Sequence, residues 1–201
     1  MMLALTGSAV DGPAYVDVVH LAQHAPDWLN DSVSAWSTYG LAVFAVFMVI
    51  AWWSARRVGA TASVTALAVP VVVVVAYAVD AALKLLVHEN RPCRSLPVTV
   101  LETCPARGDW SFPSNHAAVA AAAAVALLFV FRRLGAVAVA AAVAMAASRV
   151  WVGVHYPHDV LAGAVVGALT VTAAMSVLRR WAGPLARRLA ATRLRPLLAV
   201  S

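Results

Sequence analysis

Ser114–Arg133 reads SNHAAVAAAAAVALLFVFRR, and every residue from Ala117 to Phe131 is apolar. Polar side chains close one end of the run and an arginine pair closes the other. Alanine is the best intrinsic helix former, and a spanning helix needs about 17–25 apolar residues. The stretch therefore predicts a helix passing through hydrocarbon, with small side chains that let neighbouring helices approach closely.

Four further stretches share this character. They run over about Val33–Ser54, Ala60–Val87, Gly135–Trp151 and Asp159–Leu178. Trp36, Tyr39, Trp52 and Trp53 flank the first of them, as interfacial aromatics do. The second contains Pro70 and, near its end, Asp80 and Lys84. Residues are 63% hydrophobic and only 12% charged, whereas soluble domains sit nearer half apolar and a quarter charged. The predicted fold class is all-α: a polytopic membrane helix bundle of about five transmembrane helices plus an amino-terminal amphipathic helix. That helix is read from Val16, Val19, Leu21 and Trp28 alternating with Asp17, His20, His24 and Asp27. The domain reading is an interfacial segment over 1–32, a transmembrane domain over 33–181, and a basic amphipathic tail over 182–201. Before Arg56 there is no Lys or Arg, so the basic n-region of a secretory signal peptide is not expected.

The net charge of +6 raises nucleic acid as a partner, but the placement of charge argues for topology instead. Arg56 and Arg57 join the first two stretches, Arg132 and Arg133 join the third and fourth, and six arginines from Arg179 onward follow the fifth. These ten basic residues have no acidic residue among them. By the positive-inside rule the amino terminus is expected outside and the carboxyl terminus in the cytoplasm. Lys84, Arg91, Arg94, Arg107 and Arg149 then lie on the outer side, against the rule. Charges placed where topology disfavours them call for a functional reason.

At that outer face the ends of the stretches bring together Lys84, Arg91, Ser114, His116, Arg149, His155 and Asp159. Three cations offer fixed charge and forked donors to a phosphate. Ser114 and the N–H groups opening the third stretch add an anion site at a helix start. One histidine can attack phosphorus while the other protonates the leaving oxygen. Asp159, four residues after His155, can hold that imidazole by one nitrogen and leave the other free.

These residues fall into three signatures: Lys84-x6-Arg91-Pro92, Pro113-Ser114-Asn115-His116, and Ser148-Arg149-x5-His155-x3-Asp159. In order and spacing they resemble the type-2 phosphatidic acid phosphatase superfamily, which also includes the vanadium haloperoxidases. The resemblance spans residues 84–159. It implies that His155 is a nucleophile forming a phosphohistidine, His116 the general acid, and Asp159 the residue orienting His155. It further implies that Lys84, Arg91, Ser114 and Arg149, with Asn115 beside them, bind the phosphoryl oxygens, and that no metal or other cofactor is needed. Asn115 departs from the usual glycine of the second signature. A glycine there permits positive φ or close backbone approach, and Asn is the side chain that best tolerates left-handed geometry. Amide or acidic residues at this position are similar to the bacterial undecaprenyl pyrophosphate phosphatase branch.

The remaining polar residues receive plainer readings. Asp80 and Lys84, four apart, are expected to pair on one helix face, with Asp80 and Ser148 supporting the site from behind. His88, Glu89 and Asn90 read as solvated loop residues, and His158 as structural. His20 and His24 have metal-ligand spacing but no third ligand. Cys93 and Cys104, the only cysteines, are expected to form a disulfide in an oxidising compartment, stabilising the outer loop by ~2–3 kcal/mol.

The expected activity is therefore hydrolysis of a lipid-linked (di)phosphate at the outer membrane surface, with undecaprenyl or polyprenyl pyrophosphate favoured. Phosphatidic acid, phosphatidylglycerol phosphate and prenyl-linked sugar phosphates are alternatives. A phosphotransferase and a non-enzymatic lipid transporter are the other classes. The transmembrane stretches exclude a soluble haloperoxidase. The expected partners are a lipid phosphate and the bilayer, with no nucleic acid; oligomeric state is not readable.

Overall fold

A computed structural model describes residues 7–198. The ends of the expected interfacial segment (1–6) and of the basic tail (199–201) lie outside the described residues. The described chain is helical, with α1 Ser8–Gln23, α2 Asp27–Tyr39, α3 Leu41–Val58, α4 Ala60–Leu86, α5 Pro92–Ser95, α6 Asn115–Val130, α7 Arg132–Trp151 and α8 Pro157–Ala190. Helices α3, α4, α7 and α8 are long and apolar enough to cross a membrane, and α6 is a shorter apolar helix of 16 residues. This is an all-α membrane bundle, as the hydropathy pattern predicts.

The alanine-rich stretch forms the centre. Helix α6 packs against α3, α4, α7 and α8, and Ala117, Ala118, Ala120, Ala122, Ala123, Ala124 and Ala126 are buried along it. Gly163 and Gly167 of α8 explain how closely the helices approach. A Cβ on Gly163 would lie 2.4 Å from the Ser114 carbonyl oxygen, and one on Gly167 would lie 2.2 Å from that of Ala118. Two glycines one turn apart thus bring the α8 backbone onto α6. Around this core, Val71, Val74, Val143, Leu161 and Leu169 point outward and exposed, which is stable only where the surroundings are apolar.

Three boundaries differ from the sequence reading. The stretch over 33–54 is not one helix: it divides at Gly40 into α2 and α3. The ladder passes there through a three-residue turn, Val43 N–H donating to Gly40 O at 3.1 Å, and a Cβ on Gly40 would lie 2.4 Å from Trp36 O and 2.7 Å from Met145 Cε. Hydropathy runs through this point unchanged, so it carried no mark of the break. The last helix continues three turns beyond Leu178, to Ala190. The chain after it then folds back. Leu198 is buried with Val64 and Ala186, and Ser63 Oγ donates to Leu198 O at 2.7 Å.

The amino-terminal segment contributes two helices. Helix α1 lies across the ends of α7 and α8, burying Tyr15 and Val19 with Ala117, Val150, Tyr156 and Val160. Trp151 Nε1 donates to Asn30 Oδ1 at 2.9 Å, which ties the start of α2 to the end of α7.

Candidate active site

The site lies at the end of the bundle opposite the arginine pairs. Helix α7 ends at Trp151, and the chain must then turn back sharply before α8. Gly153 makes this turn with φ of 87°, and a Cβ there would lie 2.3 Å from Val100, so both conformation and space call for glycine. The turn sets His155 over the end of α7, its N–H donating to Arg149 O at 3.3 Å.

Helix α8 starts two residues later, with Asp159 in its first turn reaching back to the residue before the helix. The Asp159 carboxylate accepts from Tyr156 N–H at 2.8 Å. The same oxygen, Oδ2, lies 3.3 Å from His155 Nδ1 and accepts from Ser111 Oγ at 2.5 Å. Ser114 N–H donates to Asp159 O at 3.0 Å, joining the start of α6 to the start of α8. Asp159 is fully buried and His155 nearly so.

Arg91 fixes the tautomer of His155. Its Nη1 lies 3.1 Å from His155 Nε2, and a guanidinium can only donate. Nε2 therefore carries a lone pair, and the ring proton sits on Nδ1, facing Asp159. Burial points the same way, pushing the His155 imidazole down to about 3 against the raising effect of its Asp159 hydrogen bond. The ring is a neutral, oriented base with its free nitrogen toward the cations.

Those cations come from three elements. Lys84 sits in the last turn of α4, buried, with Nζ 3.8 Å from Asp109 Oδ1. Arg91 also donates from Nη1 to Val154 O at 2.9 Å, from Nε to Asp109 O at 3.0 Å and from Nη2 to Asp109 Oδ1 at 3.0 Å. Arg149, at the end of α7, reaches Ser37 Oγ of α2 and lies 3.4 Å from Glu102 Oε2. Ser114 Oγ, buried at the start of α6, has no hydrogen-bond partner among the described residues. His116 follows in the first turn of α6, within electrostatic reach of Arg149, Lys84, Arg91 and Asp109. The structure thus gathers Lys84, Arg91, Ser114, His116, Arg149, His155 and Asp159 at one end of the bundle.

Four readings need correction. Lys84 makes its ion pair with Asp109, and both carboxylate oxygens of Asp80, buried in α4, lack a hydrogen-bond partner among the described residues. Neighbours on one helix face need not meet when a longer side chain finds a partner at the helix end. Ser148 turns back to Met145 O at 2.7 Å, as a serine inside a helix often does. Asn115 is the first residue of α6, and no described residue other than glycine has positive φ. The usual glycine is therefore not replaced in left-handed geometry. Glu89 is fully buried rather than solvated; burial raises its carboxyl, and the His158 hydrogen bond opposes this.

Glu89 belongs to a cluster behind the His155–Asp159 pair. His158 Nε2 lies 3.1 Å from Glu89 Oε1, and its Nδ1 lies 2.7 Å from Asp11 Oδ1 of α1. The rings of Phe112 and Tyr156 both stack with its imidazole. Glu89, His158 and Asp159 place ligand-type atoms within 4.8 Å of one another and are the group among the described residues that could hold a metal ion. His158 already uses both ring nitrogens on carboxylates there.

Ser111, Asp109, Glu102, Ser37 and Asp11 join the site without having been marked in the sequence. Ser111 and Asp109 flank the second signature, so adjacency was their only signal. Cys93 and Cys104 are bonded, fastening α5 to the loop that carries Glu102 and Asp109.

The PAP2 superfamily profile matches residues 65–182. The chain is 43% identical over 68 residues to undecaprenyl-diphosphatase BcrC of Bacillus subtilis (strain 168), a match covering 34% of this chain and 35% of that protein. It is 33% identical over 84 residues to the bacitracin transport permease protein BcrC of Bacillus licheniformis, covering 41% of each. These matches span well under half the length of the curated relatives. In fold, the chain is similar to the crystal structure of a transmembrane PAP2-type phosphatidylglycerolphosphate phosphatase from Bacillus subtilis. The TM-score is 0.62 at 20% identity, covering 84% of this chain and 86% of the other.

Proposed function

This chain belongs to the PAP2 superfamily, and from that premise we propose that it hydrolyses a polyprenyl diphosphate through a phosphohistidine. The observation that carries the reading is the pairing of an unprotonated His155 Nε2 with Arg91 at 3.1 Å, beside Lys84, Arg149 and a buried Ser114 hydroxyl. A site that only bound anions would need the cations but not an oriented nucleophile.

The steps follow from the positions. Arg91, Lys84, Arg149 and Ser114 take the phosphoryl oxygens. The Nε2 lone pair attacks phosphorus while the bond to the leaving oxygen breaks. His116 gives that oxygen its proton, and Asp159 stabilises the positive ring by accepting from Nδ1–H. His116, now neutral, takes a proton from water as the water attacks phosphorus. The N–P bond breaks and orthophosphate leaves. Fixed cations supply the charge stabilisation, so no metal enters the scheme.

Three features favour a lipid diphosphate. The site sits at the end of a membrane bundle. An apolar groove of about 350 Å³ between α2 and α7 is lined by Val33, Trp36, Ala144, Ala147, Ser148 and Trp151. The stretch shared with undecaprenyl-diphosphatase BcrC supports the diphosphate. The charge map supports a site and an amino terminus outside and a carboxyl terminus in the cytoplasm.

The test is orthophosphate release from a panel of lipid phosphates in detergent with chelator present. We expect fastest release from polyprenyl diphosphate, with none from His155→Ala. A preference for phosphatidic acid or phosphatidylglycerol phosphate overturns the substrate. Activity surviving in His155→Ala, or needing added divalent metal, overturns the mechanism.

A further inference from the structure

All three guanidinium nitrogens of Arg91 are engaged. Nη1 serves Val154 O and His155 Nε2, Nε donates to the main-chain O of Asp109 at 3.0 Å, and Nη2 donates to its carboxylate Oδ1 at 3.0 Å. The same Asp109 Oδ1 lies 3.8 Å from Lys84 Nζ. One carboxylate thus engages two of the three cations expected to grip a phosphate, and it holds Arg91 in the pose that covers the nucleophilic nitrogen. We infer that Asp109 is a resident counter-anion, displaced from Arg91 and Lys84 by the incoming phosphoryl group, whose return drives orthophosphate out. This rests on the phosphatase reading above.

Carboxylate and phosphoryl oxygens make the same forked, charge-assisted bonds to arginine, so each can substitute for the other. A phosphate dianion carries more charge and more acceptor oxygens than a single carboxylate, so it can displace one from such a clamp. Asp109 is built to come and go. Its side chain is 47% exposed, whereas that of Asp159 is fully buried. Burial raises the Asp109 carboxyl, but the charge and hydrogen bond of Arg91, with Lys84, hold it below the usual carboxylate range. It is therefore an anion at neutral pH.

The chain around Asp109 is hinged and tethered. Gly108 beside it has φ of 89° and open space around it. The disulfide fixes Cys104 on one side, and Ser111 N–H donates to Glu89 O at 2.8 Å on the other. A short segment anchored at both ends keeps a displaced carboxylate near its cations at high effective concentration. It returns when the phosphate oxygens release them. The site thus avoids leaving buried cations uncompensated and carries its own means of product release.

The experiment compares the full chain with Asp109→Asn and Asp109→Glu in detergent, measuring inhibition constants for orthophosphate and orthovanadate beside kcat and KM. For Asp109→Asn we expect the orthophosphate constant to fall about fivefold, as loss of a half-exposed ion pair implies, with KM falling and kcat falling as product is retained. Asp109→Glu should stay near the wild type. If Asp109→Asn does not fold, Asp109→Ser reads the same constant. Equal inhibition of wild type and variant, or weaker inhibition of the variant, overturns this inference alone. Failure of both anions to inhibit the wild type overturns the phosphatase reading and the inference with it.

Discussion

At the scale of single residues, the protonation of His155 follows from its neighbours. One ring nitrogen faces an arginine, which cannot accept a hydrogen bond, and the other faces a carboxylate. Burial holds the imidazole near 3, against an ordinary value of about 6.5. In the proposed mechanism the neutral form is the nucleophile, and it persists as pH falls until the folded value is reached. We therefore expect kcat/KM to show no acid limb from His155 between pH 6.5 and about 4; a limb near 6.5 that moves with Asp159→Asn would contradict the assignment. Asp159→Asn should itself lower kcat by roughly 10²–10⁴-fold with KM little changed, because Asn can offer an N–H where His155 Nδ1–H needs an acceptor. The signature spacing made His155, Asp159, Arg91 and Lys84 legible, since covalent catalysis on phosphate demands those residue types at those helix ends. Ser111 and Asp109 were not legible. A serine and an aspartate in an outer loop read as solvated, and only the fold of 105–113 over the site gives them partners.

At the scale of elements, the alanine run and its neighbours announced their helices because nothing but a helix satisfies backbone groups in hydrocarbon. The division at Gly40 and the extension of α8 were hidden, since hydropathy reports burial in lipid and not where a ladder pauses. Contacts between helices were also out of reach. The α6–α8 approach depends on two glycines whose partners are carbonyl oxygens of another helix, Ser114 O and Ala118 O. Gly167→Ala should therefore destabilise the bundle by about 1–3 kcal/mol, lowering its thermal midpoint in detergent. Gly183→Ala is the control: its Cβ would meet nothing nearer than Arg187 Nη1 at 3.8 Å, and a helix interior gains about 0.5–1 kcal/mol from alanine. If both variants melt alike, close packing of α6 on α8 is not what limits stability.

At the scale of the whole molecule, the chain sorts its charge into two ends. Ten arginines lie at one end or in the tail beyond it, while Lys84, Arg91 and Arg149 lie at the other, each held by carboxylates or carbonyls. That separation was readable from the loops alone, because the positive-inside rule counts residues and needs no contacts. It predicts a labelling pattern. A cysteine at Asp31, exposed at the site end, should react with a membrane-impermeant maleimide on intact cells, and one at Thr192 only after permeabilisation. The reverse pattern would turn the site toward the cytoplasm.

Helix α6 sets a depth as well as a centre. Its 16 residues rise only about 24 Å at 1.5 Å each, whereas the hydrocarbon layer is about 30 Å thick. With Arg132 and Arg133 taken to lie at one interface, this length predicts that Ser114 and His116 stop several ångströms short of the other. On the proposed function, a head group would meet His155 below the membrane surface while its tail stays among the acyl chains. Turnover should accordingly depend on the thickness of the host bilayer, fastest where short-chain lipids bring the surface down to the site and slower as longer chains lift it away.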